Sequence, residues 1–319
     1  MSFARWIVTA CAILVLCAPL TLALAALSGV GHRWVDILAQ FTAPALIATL
    51  ALVAALAVGR LWIATGAGGV VILMLLTALW PQWAPDKGKP APDAPVISLY
   101  SANLYIGNRD ADAIAASVRA ADADIVVMFE ANDALTPALD EILAGYPYRL
   151  ISPGVDHDRV ERRIIASRWP LTAVRERADG LSDQTAVVDT PLGPVNIVGV
   201  HLTRPWPYQY QWGQISQVMA LDAVLADLTG PVVVAGDFNS VSSARIGRQI
   251  QSDIGLKPAP GLPGTWPSQL PALLGITIDQ VYRTPDLAFV ERRVGQRNGS
   301  DHRPVVTRFT LAEAVPPRR

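Results

Sequence analysis

The stretch Pro231-Val232-Val233-Val234-Ala235-Gly236-Asp237-Phe238-Asn239-Ser240 decides how the rest of the chain is read. A run of β-branched residues bounded by Pro and Gly predicts a strand buried on both faces, stopping at a glycine followed by Asp-Phe-Asn. At such an edge Phe238 points back into the core, while Asp237 and Asn239, two apart, project to the same side. A carboxylate and a carboxamide placed there can hold a water, a metal or a phosphate oxygen. Asp and Asn after a strand are also ordinary turn formers, so this short motif needs support from elsewhere in the chain.

Immediately upstream, Ile215, Val218, Met219, Leu221, Val224, Leu225 and Leu228 mark one apolar face of a helix that delivers the chain to Val232. Before it, 185–188 and 195–200 flank Thr190-Pro191-Leu192-Gly193 and predict a hairpin whose second strand ends at His201. Further back, 96–103 reads as a strand ending at Asn103, 110–121 as an Ala-rich helix, and 125–129 as a buried strand ending at Glu130. A second helix is expected over 133–143, with strands over 163–168 and 171–174. Downstream the chain is loop-rich to Ile276, followed by short strands at 278–281 and 287–290, the turn Asn298-Gly299-Ser300-Asp301-His302, and a closing strand over 304–309. Strands and helices laid out in this way collect polar groups at one rim. No internal repeat is visible.

Half of the 319 residues are hydrophobic, and the apolar content is local: the first ninety positions hold five of the 26 basic and two of the 27 acidic residues. The remainder is slightly acidic, which excludes the broad basic surface of a nonspecific nucleic-acid binder. Residues 6–29, 35–58 and 61–80 each approach the ~20 residues a helix needs to cross ~30 Å of hydrocarbon, so three transmembrane helices are expected within 1–82. Trp34, Trp62, Trp80 and Trp83 sit at their ends, where amphipathic rings favour the headgroup layer. A cleaved signal peptide is the alternative for the first stretch. Arg5 and Arg60 against Arg33 vote for a multi-pass protein of the cell (inner) membrane with the soluble domain on the extracytoplasmic side. Cys11 and Cys17, the only cysteines, are expected to be small buried residues of the first stretch. Residues 83–95, with four prolines, read as a stiff spacer holding a domain over 96–311 off the bilayer, with 312–319 as a tail.

Polar residues thus fall at successive strand ends: Asn103, Glu130, His201, Asp237 with Asn239, and Asp301 with His302. Each alone has an ordinary explanation as a solvated cap; their repetition does not. In order, Ala102-Asn103, Phe129-Glu130, Ser167-Arg168-Trp169-Pro170, Val200-His201-Leu202, Gly236-Asp237-Phe238-Asn239, Ile278-Asp279 and Gly299-Ser300-Asp301-His302-Arg303-Pro304 closely resemble the hallmark segments of the endonuclease/exonuclease/phosphatase (DNase I-like) superfamily. The resemblance runs from about Val96 to Phe309. It implies an α+β fold, a four-layer α/β/β/α sandwich, with a divalent-metal phosphoesterase site at one end.

A phosphate ester resists attack because its oxygens repel the nucleophile, so such a site needs positive charge on those oxygens and a group that deprotonates water. Glu130 offers the hard oxygen ligand that Mg²⁺ favours, with Mn²⁺ as a second candidate, and Asn103 can complete that site or hold a phosphate oxygen. By similarity to the family, Asp237 orients or deprotonates the attacking water and Asn239 fixes Asp237 and the phosphate. His302 donates to a phosphoryl oxygen with Asp279 on its other nitrogen, Asp301 supports metal or water, and His201 stabilises the transition state or protonates the leaving group. Arg168, Arg204 and Trp206 are expected to contact substrate. Two positions depart from the family pattern. Phe129 lies where Gln often precedes the metal-binding Glu, and Gln280 follows Asp279 where an aromatic or His is frequent.

The fold alone does not choose the substrate. The apolar N-terminal region, the absence of a basic surface and the aromatic loop Arg204-Pro205-Trp206-Pro207-Tyr208-Gln209-Tyr210-Gln211-Trp212 point to a phosphate ester that is lipid-linked, with the bilayer as partner. Aromatic rings also stack on bases, so a nucleic acid is the alternative substrate. A silent binding protein on the same fold is the remaining alternative, and the retained catalytic groups speak against it. No protein partner is expected.

Overall fold

The computed structural model describes residues 2–153, 161–174, 180–205 and 210–313. Four helices come first: α1 (Phe3–Ser28), α2 (Arg33–Gln40), α3 (Thr42–Val58) and α4 (Trp62–Trp83). The remainder runs β1 (Ile97–Asn103), α5 (Ala111–Ala121), β2 (Ile125–Ala131), α6 (Leu139–Ile142), β3 (Tyr148–Ile151), β4 (Arg162–Ser167), β5 (Leu171–Ala173), β6 (Ser182–Thr190), β7 (Gly193–His201), α7 (Gln211–Ala226), β8 (Val232–Asp237), α8 (Arg245–Gln249), β9 (Lys257–Pro258), β10 (Asp279–Arg283), β11 (Leu287–Val294) and β12 (Val305–Leu311). The expected helix over 133–143 is divided into a 3₁₀ segment containing Pro137 and the short α6.

The strands form two six-stranded sheets, ordered β11-β12-β1-β2-β4-β3 and β5-β6-β7-β8-β10-β9. Each has one parallel pair at its centre, β1 with β2 and β7 with β8, and antiparallel neighbours elsewhere. One apolar cluster, including Ile97, Leu99, Val127, Phe129, Ile197, Val233 and Ala235, fills the space between the sheets. A second lies under α5 and α6 on the outer face of the first sheet, and a third under α7 and α8 on the outer face of the second. The four expected layers are therefore present. The Val232 strand is buried along its whole length, as its unbroken β-branched run requires.

A Cβ at Gly236 would lie 1.8 Å from the Val200 carbonyl oxygen and 3.0 Å from the Phe129 ring, and one at Gly199 would lie 3.0 Å from the same ring. Phe129 of the first sheet is thus seated in a notch that two glycines leave in the second.

The N-terminal region differs from the expectation. Two helices, Phe3–Ser28 and Trp62–Trp83, are long and apolar enough to cross a membrane; the second stretch is broken into α2 and α3, bent by 53°, and counts as a third span only if the pair is one. The break falls where Asp36 and Gln40 give α2 a polar face. Cys11 and Cys17 are exposed on α1 rather than buried. The proline-rich segment does not stand off the sandwich: Lys87, Lys89 and Ala91 exchange backbone hydrogen bonds with Phe289, Glu313 and Leu311, and Pro90 bridges Ala312. Proline tolerates this edge position because only part of the segment's backbone is asked to pair.

Candidate active site

The central parallel pairs deliver their carboxyl ends to one rim: Asn103 and Glu130 from the first sheet, His201 and Asp237 from the second. Asp279 opens β10, which runs antiparallel to β8 and places it opposite Asp237 on the same rim. Two residues here adopt left-handed backbone, Glu130 at φ 56° and Asn239 at φ 47°. Such values are uncommon outside glycine. Glu130 lies within the register shift of β2 against β4, between Met128 and Ala131, which swings its carboxylate off the sheet axis. Asn239 closes a tight turn in which its own N–H donates to Asp237 Oδ1 at 2.8 Å, and its side chain donates to the Leu202 carbonyl at 2.8 Å and to Asp237 Oδ2 at 3.4 Å. The two side chains therefore share one side, through this turn rather than through strand alternation. Phe238 turns inward against Tyr282, as expected.

The groups converge. Asn103 Nδ2 donates to Glu130 Oε1 at 2.8 Å and to Asp237 Oδ2 at 3.1 Å. His201 Nε2 lies 3.6 Å from Glu130 Oε1 and 3.7 Å from Asp237 Oδ2, and His302 Nε2 lies 3.9 Å from the same Asp237 oxygen. Each imidazole is held from behind by a carboxylate. His302 Nδ1 lies 3.1 and 2.9 Å from the two Asp279 oxygens, and His201 Nδ1 lies 3.2 Å from Glu161 Oε1.

Glu161 is absent from the sequence-based set. It directly precedes β4, whose antiparallel course returns its amino end to the Glu130 rim. Attention to carboxyl ends alone passes over it; an acid at the amino end of a strand antiparallel to β2 is the signal that finds it.

Burial opposes charge on both imidazoles, but the surrounding acids outweigh it. His201, beside Glu161, Asp237 and Glu130, is raised to about 9, and His302, beside Asp279, Asp237 and Asp301, to about 10. Burial also works to raise the Glu161 carboxyl, yet the His201 hydrogen bond and charge leave it below the ordinary value. Asp237 is pushed up to about 6, chiefly by burial, with His302 pulling down and Asp279 pushing up. At neutral pH the rim therefore carries two imidazolium cations around a buried carboxylate.

Two sets of donors bear on a divalent ion. Asp237, Asp279 and His302 present ligand-type atoms within 4.8 Å of one another, a group compact enough for a metal. His302 there is already bound by Asp279 and holds its proton, so the cluster is chemically an acid–imidazolium network. Glu130 offers hard carboxylate oxygens, and Asp301 has a buried Oδ1 that lies 4.0 Å from His302 Nε2 and has no hydrogen-bond partner among the described residues. Unpaired buried carboxylate oxygens are costly, and an oxygen-only donor set suits Mg²⁺. The residues present fit such an ion.

Arg168 does not reach the site. It lies at the far end of β4, paired with Asp122 and with Asp124 at 3.5 Å, and stacks over Tyr146. The strand order explains this: β4 is antiparallel to β2, so its carboxyl end is at the opposite rim from Glu130. Arg204 is exposed where the loop after β7 begins, and Trp206 lies outside the described residues. Both family departures have local roles. Phe129 fills the inter-sheet notch, and Gln280 donates to the Ser240 carbonyl, bracing the loop after Asn239.

Two stacked sheets with helices outside and an acid–imidazole cluster on the joint rim define a DNase I-like sandwich. The chain belongs to the Endonuclease/Exonuclease/phosphatase family, whose model matches residues 100–302. A UPF0294 protein of Vibrio cholerae is 34% identical over 148 residues, 45% of this chain, and the chain spans about half the length of that relative (47%). Among solved structures, the endonuclease/exonuclease/phosphatase from Beutenbergia cavernae superposes with a TM-score of 0.52 at 22% identity, covering 69% of this chain and 72% of the other. A beta toxin variant from Staphylococcus aureus with bound magnesium ions gives 0.53 at 14% identity, over 69% of this chain and 100% of the other.

Proposed function

We propose that the protein is a membrane-anchored, Mg²⁺-dependent phosphoesterase that hydrolyses a phosphodiester or phosphomonoester, with a lipid-linked phosphate as the preferred class. The observation that carries this reading is the convergence of Asn103, His201 and His302 on Asp237 Oδ2, with Glu130 beside Asn103 and His201. Glu130, Asp301 and Asn103 would hold the cation. A divalent ion bound there neutralises phosphoryl oxygens and favours deprotonation of water.

Asp237, raised to about 6, accepts the proton of the attacking water near neutral pH, and Asn239 keeps its carboxylate aimed. His302 donates from Nε2 to a phosphoryl oxygen while Asp279 fixes its other nitrogen. His201, backed by Glu161, donates to the leaving group. Arg204 and Trp206, which follow His201 in the sequence, are proposed to contact the substrate.

Arg5 Nη2 donates to the Arg60 carbonyl at 2.8 Å, so these two cations share one end of the helices, while the sandwich docks at the other. With positive residues on the cytoplasmic side, the catalytic domain lies outside. A phosphate at headgroup level is then the ester within reach. Exposed Tyr210 and Trp212 favour a second reading, a nuclease that stacks bases on this rim.

The test is hydrolysis by the full-length protein in detergent, with Mg²⁺ or EDTA, of phospholipids, a generic phosphodiester, a phosphomonoester and DNA. Metal-dependent turnover of phospholipid is expected. Turnover of DNA alone would replace the lipid reading with the nuclease, and silence on all four would remove the enzyme reading. A reporter fused after Arg319 reads the side of the membrane.

A further inference from the structure

The N-terminal helices meet the sandwich behind the turn that carries Asp237 and Asn239. Ala26 of α1, Ala39 of α2 and Ala78 of α4 pack with Val241, Ala244, Ile276 and Ile278. Buried polar groups accompany this apolar contact. Gln40 Nε2 lies 3.4 Å from the Asn239 carbonyl oxygen, the acceptor that also receives Gln214 Nε2 at 3.2 Å. Asp36 Oδ1 accepts from the Arg245 N–H at 2.7 Å. Gln82 Oε1 accepts from Ser243 Oγ at 2.9 Å, and its Nε2 donates to the Gly261 carbonyl at 3.4 Å. Asp36, Gln40 and Gln82 are 2%, 8% and 2% exposed.

Buried polar side chains are unfavourable unless paired, and a plain tether has no use for them. These three stand in an otherwise apolar region and aim at one segment, residues 239–245, with Gln82 reaching Gly261 as well. The start of α8 shows the dependence most clearly. Ala244 occupies its N-cap position and has no side chain to accept a hydrogen bond, and Asp36 from α2 supplies the missing acceptor. At the other end of the segment the Asn239 peptide, whose N–H is bonded to Asp237 Oδ1, receives Gln40 on its carbonyl. The backbone that orients Asp237 is therefore held partly by residues two hundred positions earlier.

We propose that Asp36, Gln40 and Gln82 are positioning residues for the Asp237–Asn239 turn, which makes the N-terminal helices a structural part of the active site; this rests on the phosphoesterase reading of Asp237. The test uses the full-length protein in detergent with bis(p-nitrophenyl) phosphate and Mg²⁺. Gln40→Glu keeps the shape but turns a donor into an acceptor facing a carbonyl. Asp36→Ala removes the acceptor for Arg245, whereas Asp36→Asn keeps one.

Gln40→Glu and Asp36→Ala are expected to lower kcat tenfold or more with KM within twofold, and Asp36→Asn to retain kcat. Leu14→Ala, on the exposed face of α1, should be neutral. Amide hydrogen exchange over 239–245 should accelerate at least tenfold in the two damaging variants. Unchanged kcat per folded molecule with a lowered melting temperature would mean a purely structural contact and would overturn the proposal. If the parent hydrolyses nothing, the phosphoesterase reading falls separately. The exchange measurement then still decides: faster exchange upholds the positioning of the turn, and unaltered exchange ends it.

Discussion

The site contains two imidazole–carboxylate pairs built to the same plan in different surroundings. His201 and Asp279 come from the second sheet, Glu161 and His302 from segments leading into strands of the first, so each pair crosses the sandwich. His302–Asp279 is closed: the side chains are 9% and 2% exposed, and both carboxylate oxygens lie near Nδ1. His201–Glu161 is more open, at 19% and 18%, with one contact at 3.2 Å. The buried pair has little freedom and suits a fixed donor to a phosphoryl oxygen. The open pair can follow a leaving group as it departs, which is what a general acid must do.

The largest expected effect tests whether the buried pair belongs to the chemistry. Asp237→Ala and His302→Ala should each lower kcat on a metal-dependent phosphodiester assay by about 10³-fold or more, with circular dichroism unchanged. A loss below tenfold for His302→Ala would erase the distinction between the pairs. Next, Glu130→Gln should raise the Mg²⁺ concentration for half-maximal activity by at least ~10-fold, read by metal titration, because a neutral amide is a poorer ligand for a hard cation.

The comparison sharpens with the two supporting acids. Asp279→Asn is expected to cost about 100-fold in kcat and Glu161→Gln about 10-fold, since water can replace part of the partner at the more open site. Equal losses would show that exposure does not separate the roles. The smallest effect is in titration. In metal-free protein, His201 should titrate near 9 by NMR, and Glu161→Gln should lower that value. The folded-state value lies above that of the unfolded chain, about 6.5. The stability His201 contributes is therefore complete below about 6.5 and lost as pH rises through about 9, measurable as a falling melting temperature.

Local pattern points to most of the groups that meet at this rim, because buried strands announce themselves and their carboxyl ends are where a sandwich of this kind collects polar groups. Asn103, Glu130, His201, Asp237 with Asn239, and Asp301 with His302 follow from that pattern of polar residues, and Asp279 from the resemblance to the family. What escapes is set by strand direction and by tertiary contact. Glu161 precedes its strand and Arg168 follows it, and only the antiparallel pairing of β4 with β2 tells which of the two reaches the rim. The proline-rich segment reads as a free spacer, because its pairing with β11 and β12 partners leaves no periodicity of its own. Within the second apolar stretch, Asp36 and Gln40 are four apart on one helical face, a visible sign of a polar partner whose identity depends on the folded sandwich.

The glycine notch around Phe129 has a consequence for how this enzyme fold tolerates change. Half of the reactive groups hang on one wall and half on the other, and the width of the slot between them is fixed by methyl groups that Gly199 and Gly236 lack. Adding one at Gly199 acts as a shim, because it would meet the Phe129 and Val127 side chains of the opposite sheet at 3.0 Å: the walls must part, and overpacking of this kind costs about 1–3 kcal/mol. The chain would still fold around its apolar clusters, yet its acids and imidazoles would face each other across a gap cut to the wrong gauge.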